Sequence, residues 1–326
     1  MDARIPASAR AAKERQEKQP PVLQDGEVRI GLYVSVDGDT PIPTIRDRFC
    51  RAEAEGFHTA WAGQVFEHDA LTLLALAGTA TRRIELGSWV LPIQPRHPVA
   101  LAQQALTVQA ACAGRLLLGL GVSHEAVVEK RLGLAYEHPL RRMRECLDAL
   151  QPLLAGERTG EHSRVHSLGT RPPPVFLAAL GPLMLRLAGA RADGVALWLG
   201  GPRFLAEHAL PHVSEGAARA DRPTPRIVCG LPVAVTSEAG VARRSADAFL
   251  ARVVKLPAYA RVLALEGVDS PGGTAIVGDE ASVRSQIDRL GALGATDFNA
   301  ILFPVKGDPE APARTRAALA SLATRT

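Results

Sequence analysis

The chain has 326 residues, 47% of them hydrophobic and 22% charged, with a formal net charge of +4 at pH 7. This composition supplies enough apolar side chain for a large core and excludes a chain disordered throughout. The basic residues are scattered rather than gathered into a stripe with interleaved aromatics, which argues against a nucleic-acid partner.

Residues 1–27 mix Ala, Lys, Arg, Glu and Gln with a Pro-Pro pair and show no apolar periodicity. They are expected to form a disordered tail ahead of a single domain over 28–326. The N-terminus lacks the apolar stretch of a secretory signal, and no apolar run reaches the roughly 20 residues of a membrane helix. The four cysteines, Cys50, Cys112, Cys146 and Cys229, lie far apart without CxxC spacing. A cytoplasmic protein with reduced thiols and no membrane partner is therefore expected.

From Arg29 onward, short runs rich in Val, Ile and Leu alternate with longer helical stretches, the pattern of βα units on a parallel sheet. Strands are expected at 29–36, 59–64, 84–91, 115–122, 175–179, 194–199, 227–235 and 298–305. Between them, helices are expected at 42–55, 69–81, 98–113, 140–154 and 182–190, with Gly56 and Gly114 as stops. Eight parallel strands joined by helical crossovers close on themselves, whereas an open doubly wound sheet has fewer strands and a Gly-rich first turn. The first turn here reads Ser35-Val36-Asp37-Gly38, without GxGxxG. The expected fold is thus α/β, a (β/α)8 TIM barrel with inserted loops at its C-terminal face. The stretches 157–174 and 255–274 exceed a minimal barrel and are read as long loops covering a substrate.

In such a barrel the residues that end each strand are placed to do chemistry. On the third strand these are Trp89, Val90 and Leu91, which an ordinary core strand with a wall tryptophan would equally supply. After the fourth, Gly119, Gly121, Val122 and Ser123 form a small-residue turn that lets a ligand approach the backbone; tight packing is the alternative. Ala178-Ala179-Leu180-Gly181-Pro182 joins the fifth strand to a helix whose first amides are free to meet a phosphate. Trp198-Leu199-Gly200-Gly201 after the sixth strand would close the other side, although a Gly-Pro helix start needs no ligand. His124 is a candidate general acid, or else a helix-capping histidine. Gln64 can hydrogen-bond a carbonyl but moves no proton. His97 is expected to anchor the loop before the third helix. His162 with His166, and His208 with His212, have zinc-like spacing, but no acidic third ligand is in register and Pro211 interrupts the second pair. No metal is expected, and neither a nucleophile elbow nor a P-loop occurs.

Several motifs in order carry a resemblance. Ile84-Glu85-Leu86-Gly87-Ser88-Trp89-Val90-Leu91-Pro92 is followed by Arg96-His97-Pro98 and an Ala/Gln-rich helix, then by Gly114-Arg115-Leu116-Leu117-Leu118-Gly119-Leu120-Gly121-Val122. Met143-Arg144-Glu145, Ala178-Ala179-Leu180-Gly181-Pro182, Ala192-Asp193-Gly194 and Val277-Gly278-Asp279 come after them. Together these resemble the luciferase-like monooxygenase superfamily over 30–305. Within it, Trp61-Ala62-Gly63-Gln64-Val65-Phe66 and Val195-Ala196-Leu197-Trp198 before Gly200-Gly201-Pro202 resemble an actinobacterial branch that uses the deazaflavin coenzyme F420.

The resemblance implies an oxidoreductase, a homodimer, that transfers hydride between F420 and an unidentified small organic substrate. An FMN-dependent monooxygenase using oxygen, or a barrel that binds a flavin without redox work, are the alternatives. It also implies a non-proline cis peptide at Trp89-Val90, against which the cofactor ring rests. Around the cofactor it places Gly63, Gln64, Ser88, Trp89, Val90, Gly121, Val122 and Ser123, the 178–182 turn, and Trp198, Leu199, Gly200 and Gly201. Deazaflavin-dependent dehydrogenases of this superfamily often carry an Asp-His pair after the second strand and a Glu after the fourth. Here Gly63-Gln64 and His124 stand at those places, which counts against a sugar-phosphate mechanism.

Overall fold

A run such as Arg29-Ile30-Gly31-Leu32-Tyr33-Val34 has no polar face to give to water, so it forms a strand only where both sides are covered. The computed structural model, which describes residues 27–64, 66–159, 163–165 and 169–324, supplies that cover. All but the last residue of the expected tail, and both His162 and His166, lie outside the described residues. Eight strands form the wall: β1 (Arg29–Val34), β2 (Thr59–Ala62), β3 (Glu85–Ser88), β4 (Leu116–Gly121), β5 (Val175–Ala178), β6 (Gly194–Trp198), β7 (Arg226–Val235) and β8 (Asp297–Leu302). Each pairs in parallel with its sequence neighbour, and β8 returns to β1 in the register Arg29↔Asp297, so the sheet is a closed ring.

The helices are α1 (Ile42–Ala54), α2 (Ala70–Ala80), α3 (Pro98–Ala111), α4 (Glu125–Leu132), α5 (Pro139–Leu154), α6 (Pro182–Arg191), α7 (Leu210–Arg219), α8 (Ala239–Leu250), α9 (Pro257–Glu266), α10 (Glu280–Ala292) and α11 (Ala311–Ala323). A helical turn, Pro202–Phe204, and a π-helical turn, Leu205–Ala209, run directly into α7. Side chains alternate across each strand. Ile30, Leu32 and Val34 join the main core with helix residues such as Phe49 and Leu74, while Arg29, Gly31 and Tyr33 face the lumen.

The lumen is packed in layers. At the N-terminal ends of the strands, Glu85 accepts from Arg29 (2.6 Å) and Arg226 (3.1 Å), and the fully buried Asp297 pairs with Arg226 at 2.5 Å. Above this floor lie Trp61, Leu117, Phe176 and Val228. Trp61 meets Phe176 edge-on at 5.6 Å and Trp89 at 5.3 Å. The aromatic rings fit because the neighbouring strands carry glycine: a Cβ on Gly87 would lie 2.1 Å from Trp61, and one on Gly194 2.0 Å from Phe176.

The expected strands all occur, shorter at several ends. The third departs most. It stops at Ser88, passes through a cis peptide at Trp89–Val90, and resumes as Leu91–Pro92 beside β4. The stretch 255–274, expected as loop, instead contains α9. Pro257 opens that helix and Gly267, at φ 79°, ends it, two signals that its position between strands had obscured. The helix α4 was not anticipated because it buries a single residue, Val128, and so writes no apolar stripe.

Candidate active site

The C-terminal ends of the strands open into a cleft of about 600 Å³. Tyr33 of β1, Gly63 and Gln64 after β2, Trp89 and Val90 after β3, and Gly121, Ser123 and His124 at the end of β4 line it, with Ala178 of β5 and Trp198 of β6. Val253, Leu256 and Tyr259, the last on α9, cover it, so the 255–274 stretch does lie over the cleft as expected. No described residue of 157–174 lines it.

Each wall residue is held by something specific. Gly121 lets the chain after β3 lie against β4, since a Cβ there would come within 2.7 Å of Val90 Cγ2. Gly119 is a packing glycine: its Cβ would strike Ser88 O at 2.0 Å. Trp89 crosses over Gly230, where a Cβ would lie 2.5 Å from the indole, and its ring lies 6.5 Å from that of Trp198. The Gln64 side-chain carbonyl accepts from Ala70 N at 2.8 Å, capping α2 and fixing the amide at the cleft edge.

Tyr33 was not anticipated. Its hydroxyl lies so close to Gly63 that a Cβ there would sit 2.3 Å from it, and burial, with Asp37 and Glu67 nearby, pushes the phenol up to about 12. The available signal was its place as the lone polar ring near the end of the first strand.

His124 occupies the N-cap position of α4 but its side chain makes no cap, which removes the helix-capping alternative. Its Nε2 instead lies 3.3 Å from Tyr259 Oη, with ring centroids 5.1 Å apart. Burial lowers the imidazole below its ordinary value and raises the Tyr259 phenol above its own, so both are neutral near pH 7.

Other expected positions fall away from the cleft wall. Ser88 is fully buried on the opposite side of its strand, its hydroxyl donating to Gly119 O (3.0 Å) and accepting from Gly119 N (2.8 Å). Val122 points away, its carbonyl accepting from Gln94 Nε2 at 2.5 Å. Ala179 and Leu199 are buried in the outer core. Gly200 packs under Phe204, and the turn after Gly201 is closed to an anion because the Glu266 carboxylate already accepts from Arg203 N (3.3 Å) and Phe204 N (2.7 Å). Gly181 differs: it caps α6 without a side-chain hydrogen bond, Pro182 follows it, and nothing lies within 4 Å of a Cβ built on it. Leu180 stands beside it, its carbonyl accepting from His208 Nε2 at 3.1 Å.

His97 accepts from Val99 N at 3.3 Å and so anchors the start of α3, as expected. His212 donates to His208 O at 2.6 Å. No cluster of His, Cys, Asp and Glu suited to a metal ion occurs among the described residues, nor any helix long and apolar enough to cross a membrane. All four cysteines are free, three of them buried.

The chain is 31% identical over 264 residues to Rv1360, an uncharacterized protein of Mycobacterium tuberculosis, covering 72% of this chain and 76% of that one. Rv3520c of the same organism, a putative coenzyme F420-dependent oxidoreductase, is 33% identical over 193 residues, 53% of this chain and 55% of that one. Two solved structures share the fold. One is the coenzyme F420-dependent tetrahydromethanopterin reductase of Methanopyrus kandleri, with a TM-score of 0.71 at 22% identity, covering 90% of this chain and 97% of that one. The other is the oxygenating constituent of 3,6-diketocamphane monooxygenase of Pseudomonas putida, in complex with FMN, with a TM-score of 0.70 at 16% identity, covering 91% and 98%. Residues 24–297 match the description of the luciferase-like monooxygenases. A closed parallel barrel with its cleft at the strand C-termini, together with this match over most of its length, means that the chain belongs to the luciferase-like monooxygenase family.

Proposed function

We propose that the protein is an F420-dependent oxidoreductase acting on a small organic substrate in the cleft above Trp89 and Val90. The observation that carries this reading is one cleft, about 600 Å³, walled by backbone at Gly63 and Gly121 and by the indoles of Trp89 and Trp198. Its volume suits a ligand of cofactor size. A flat ring fits against Val90 and the indoles of Trp89 and Trp198, where Gly63 and Gly121 let Tyr33 and Val90 pack close to the wall. A phosphate fits at the first turn of α6, where the N-cap is Gly181 and the amides have no side-chain partner. The turn at Gly201 is already filled by the Glu266 carboxylate and offers an anion no free amide.

Bound there, the reduced deazaflavin supplies a hydride and reacts little with oxygen. The chain's own part is orientation and exclusion of water. Trp89 and Val90 support one face of the ring, Gln64 offers its amide at the edge, and α9 covers the top with Leu256 and Tyr259. Neutral His124 and Tyr259 are placed to hydrogen-bond a substrate oxygen. Among the described residues no carboxylate is hydrogen-bonded to the His124 ring, whose partner is Tyr259, so the site depends on positioning more than on a strong acid and base. The F420-dependent name of Rv3520c supports the choice of cofactor. FMN carries a related tricycle, with nitrogen at position 5 where the deazaflavin has carbon, also on a ribityl phosphate, and would make the protein an oxygen-using monooxygenase.

Titration with oxidised F420 and with FMN, followed by visible absorbance and quenching of tryptophan fluorescence, decides between them. Saturable binding of F420 is expected. Binding of FMN alone would reverse the cofactor, and binding of neither would discard the redox reading.

A further inference from the structure

The outer half of the cleft carries chemistry that the cofactor reading does not use. Phe66, Val127, Leu132, Val253 and Leu256 form its rim. Phe66 is held over the mouth by Arg131, whose guanidinium lies 3.8 Å from the ring centroid. Among the described lining residues Arg96 is the one cation: its two terminal nitrogens donate to Asp69 at 2.7 Å and to Gln104 at 2.8 Å, while its buried Nε has no partner. Glu67 adds a negative charge to the same wall. An anionic group inside the chamber would meet only Arg96, already paired with Asp69, since Arg131 is exposed outside the lining and stacked on Phe66, so its lost hydration would be poorly replaced.

One polar pair interrupts the apolar rim. Neutral imidazole has one donor and one acceptor, and a phenol has one of each. A single hydrogen bond between His124 and Tyr259, 3.3 Å apart, uses one donor and one acceptor. One donor of the pair remains: the Tyr259 hydroxyl when His124 Nε2–H donates to it, or His124 Nδ1–H when the hydroxyl donates to Nε2.

We propose that this chamber, resting on the reading of the cleft as the active site, takes an uncharged, apolar carbonyl compound whose oxygen accepts from the Tyr259–His124 pair. Such a ligand buries its hydrocarbon against the rim and satisfies the remaining donor. A hydrocarbon leaves that donor unpaired, and a carboxylate of the same shape brings a charge that nothing neutralises.

The test is calorimetric titration of the cofactor-loaded protein with three probes on one skeleton: benzalacetone (ketone), trans-β-methylstyrene (hydrocarbon) and cinnamate (carboxylate). Benzalacetone is expected to bind best, about three- to tenfold tighter than the hydrocarbon for one net hydrogen bond, with cinnamate weakest. Tyr259→Phe combined with His124→Phe, which removes both donors, is expected to bring benzalacetone down to the level of the hydrocarbon and leave the hydrocarbon unchanged. Equal weakening of both would show that the pair only shapes the chamber, and preference for cinnamate would overturn the substrate class. Cofactor loading is read separately by absorbance. Loading without benzalacetone binding sinks this proposal alone, whereas benzalacetone binding that depends on the Tyr259–His124 pair in a protein that will not load F420 sinks the cofactor reading and leaves the chamber.

Discussion

Glu266 Oε2 accepts a hydrogen bond from Phe204 N at 2.7 Å, and its Oε1 accepts from Arg203 N at 3.3 Å. The last residue of α9 thus supplies the cap that Gly201 cannot, and ties the cover of the cleft to the helical turn that leads into α7. Glu266→Ala is expected to cost about 0.5–2 kcal/mol, the usual loss for an N-terminal cap, seen as a lower urea midpoint. Glu266→Gln keeps an acceptor but not the charge, and should recover part of that loss. An unchanged midpoint in both variants would show that the carboxylate does not cap this turn in solution.

Gly181 is the converse case, an N-cap with open space beside it. Its φ of −92° suits any residue. In Gly181→Asp the new carboxylate caps α6, so stability should rise by a few tenths of a kcal/mol. The same charge occupies the proposed phosphate position, and F420 affinity is expected to fall by at least about tenfold through like-charge repulsion. Unaltered affinity would move the phosphate elsewhere.

At the barrel floor, Asp297 is fully buried between Arg226 and Arg29. Burial alone would raise its carboxyl, but the two guanidiniums outweigh this and hold it below its ordinary 3.8. The folded chain therefore binds fewer protons than the unfolded one just below that value. The resulting stability is present above pH 3.8 and is lost as pH falls through the lower, folded value. Asp297→Asn leaves Arg226 with Glu85 alone and should destabilise by about 3–5 kcal/mol at neutral pH. Urea unfolding should also become flatter with pH on the acid side. A variant as stable as the parent would refute the pairing.

For His124, burial shifts the imidazole below 6.5. Below that pH the unfolded chain takes up a proton that the folded one resists, so this contribution to stability is complete above 6.5 and declines as pH drops toward the folded value. His58 and His208 are shifted in the same direction, so a residue-resolved NMR titration is needed to isolate it. His124 is expected to titrate below 6.5. A midpoint at or above that value would mean that the ring is hydrated and its pairing with Tyr259 is broken.

Strands such as β4 and β5 were legible because a parallel strand covered on both faces reads as a continuous apolar run, here Leu116-Leu117-Leu118 and Val175-Phe176-Leu177. The cis bond at Trp89–Val90 was legible only through resemblance, since no local propensity produces it. Which neighbour of that bond lines the cleft was harder to read. Ser88 and Trp89 are adjacent, yet alternation sends one outward to Gly119 and the other into the lumen, so an error of one residue changes the face.

Sequence alone determined the βα alternation and the glycine turns at the strand ends, because these follow from side-chain volume and local backbone preference, whereas the ring is closed by the long-range pairing of β8 with β1. Only the tertiary structure decided that His124 meets Tyr259 across 135 residues, that Tyr33 presses on Gly63, and that Glu266 fills one helix start while Gly181 leaves another open. These are long-range contacts set by how the helices and loops settle on the closed barrel, and no local pattern of residues encodes them.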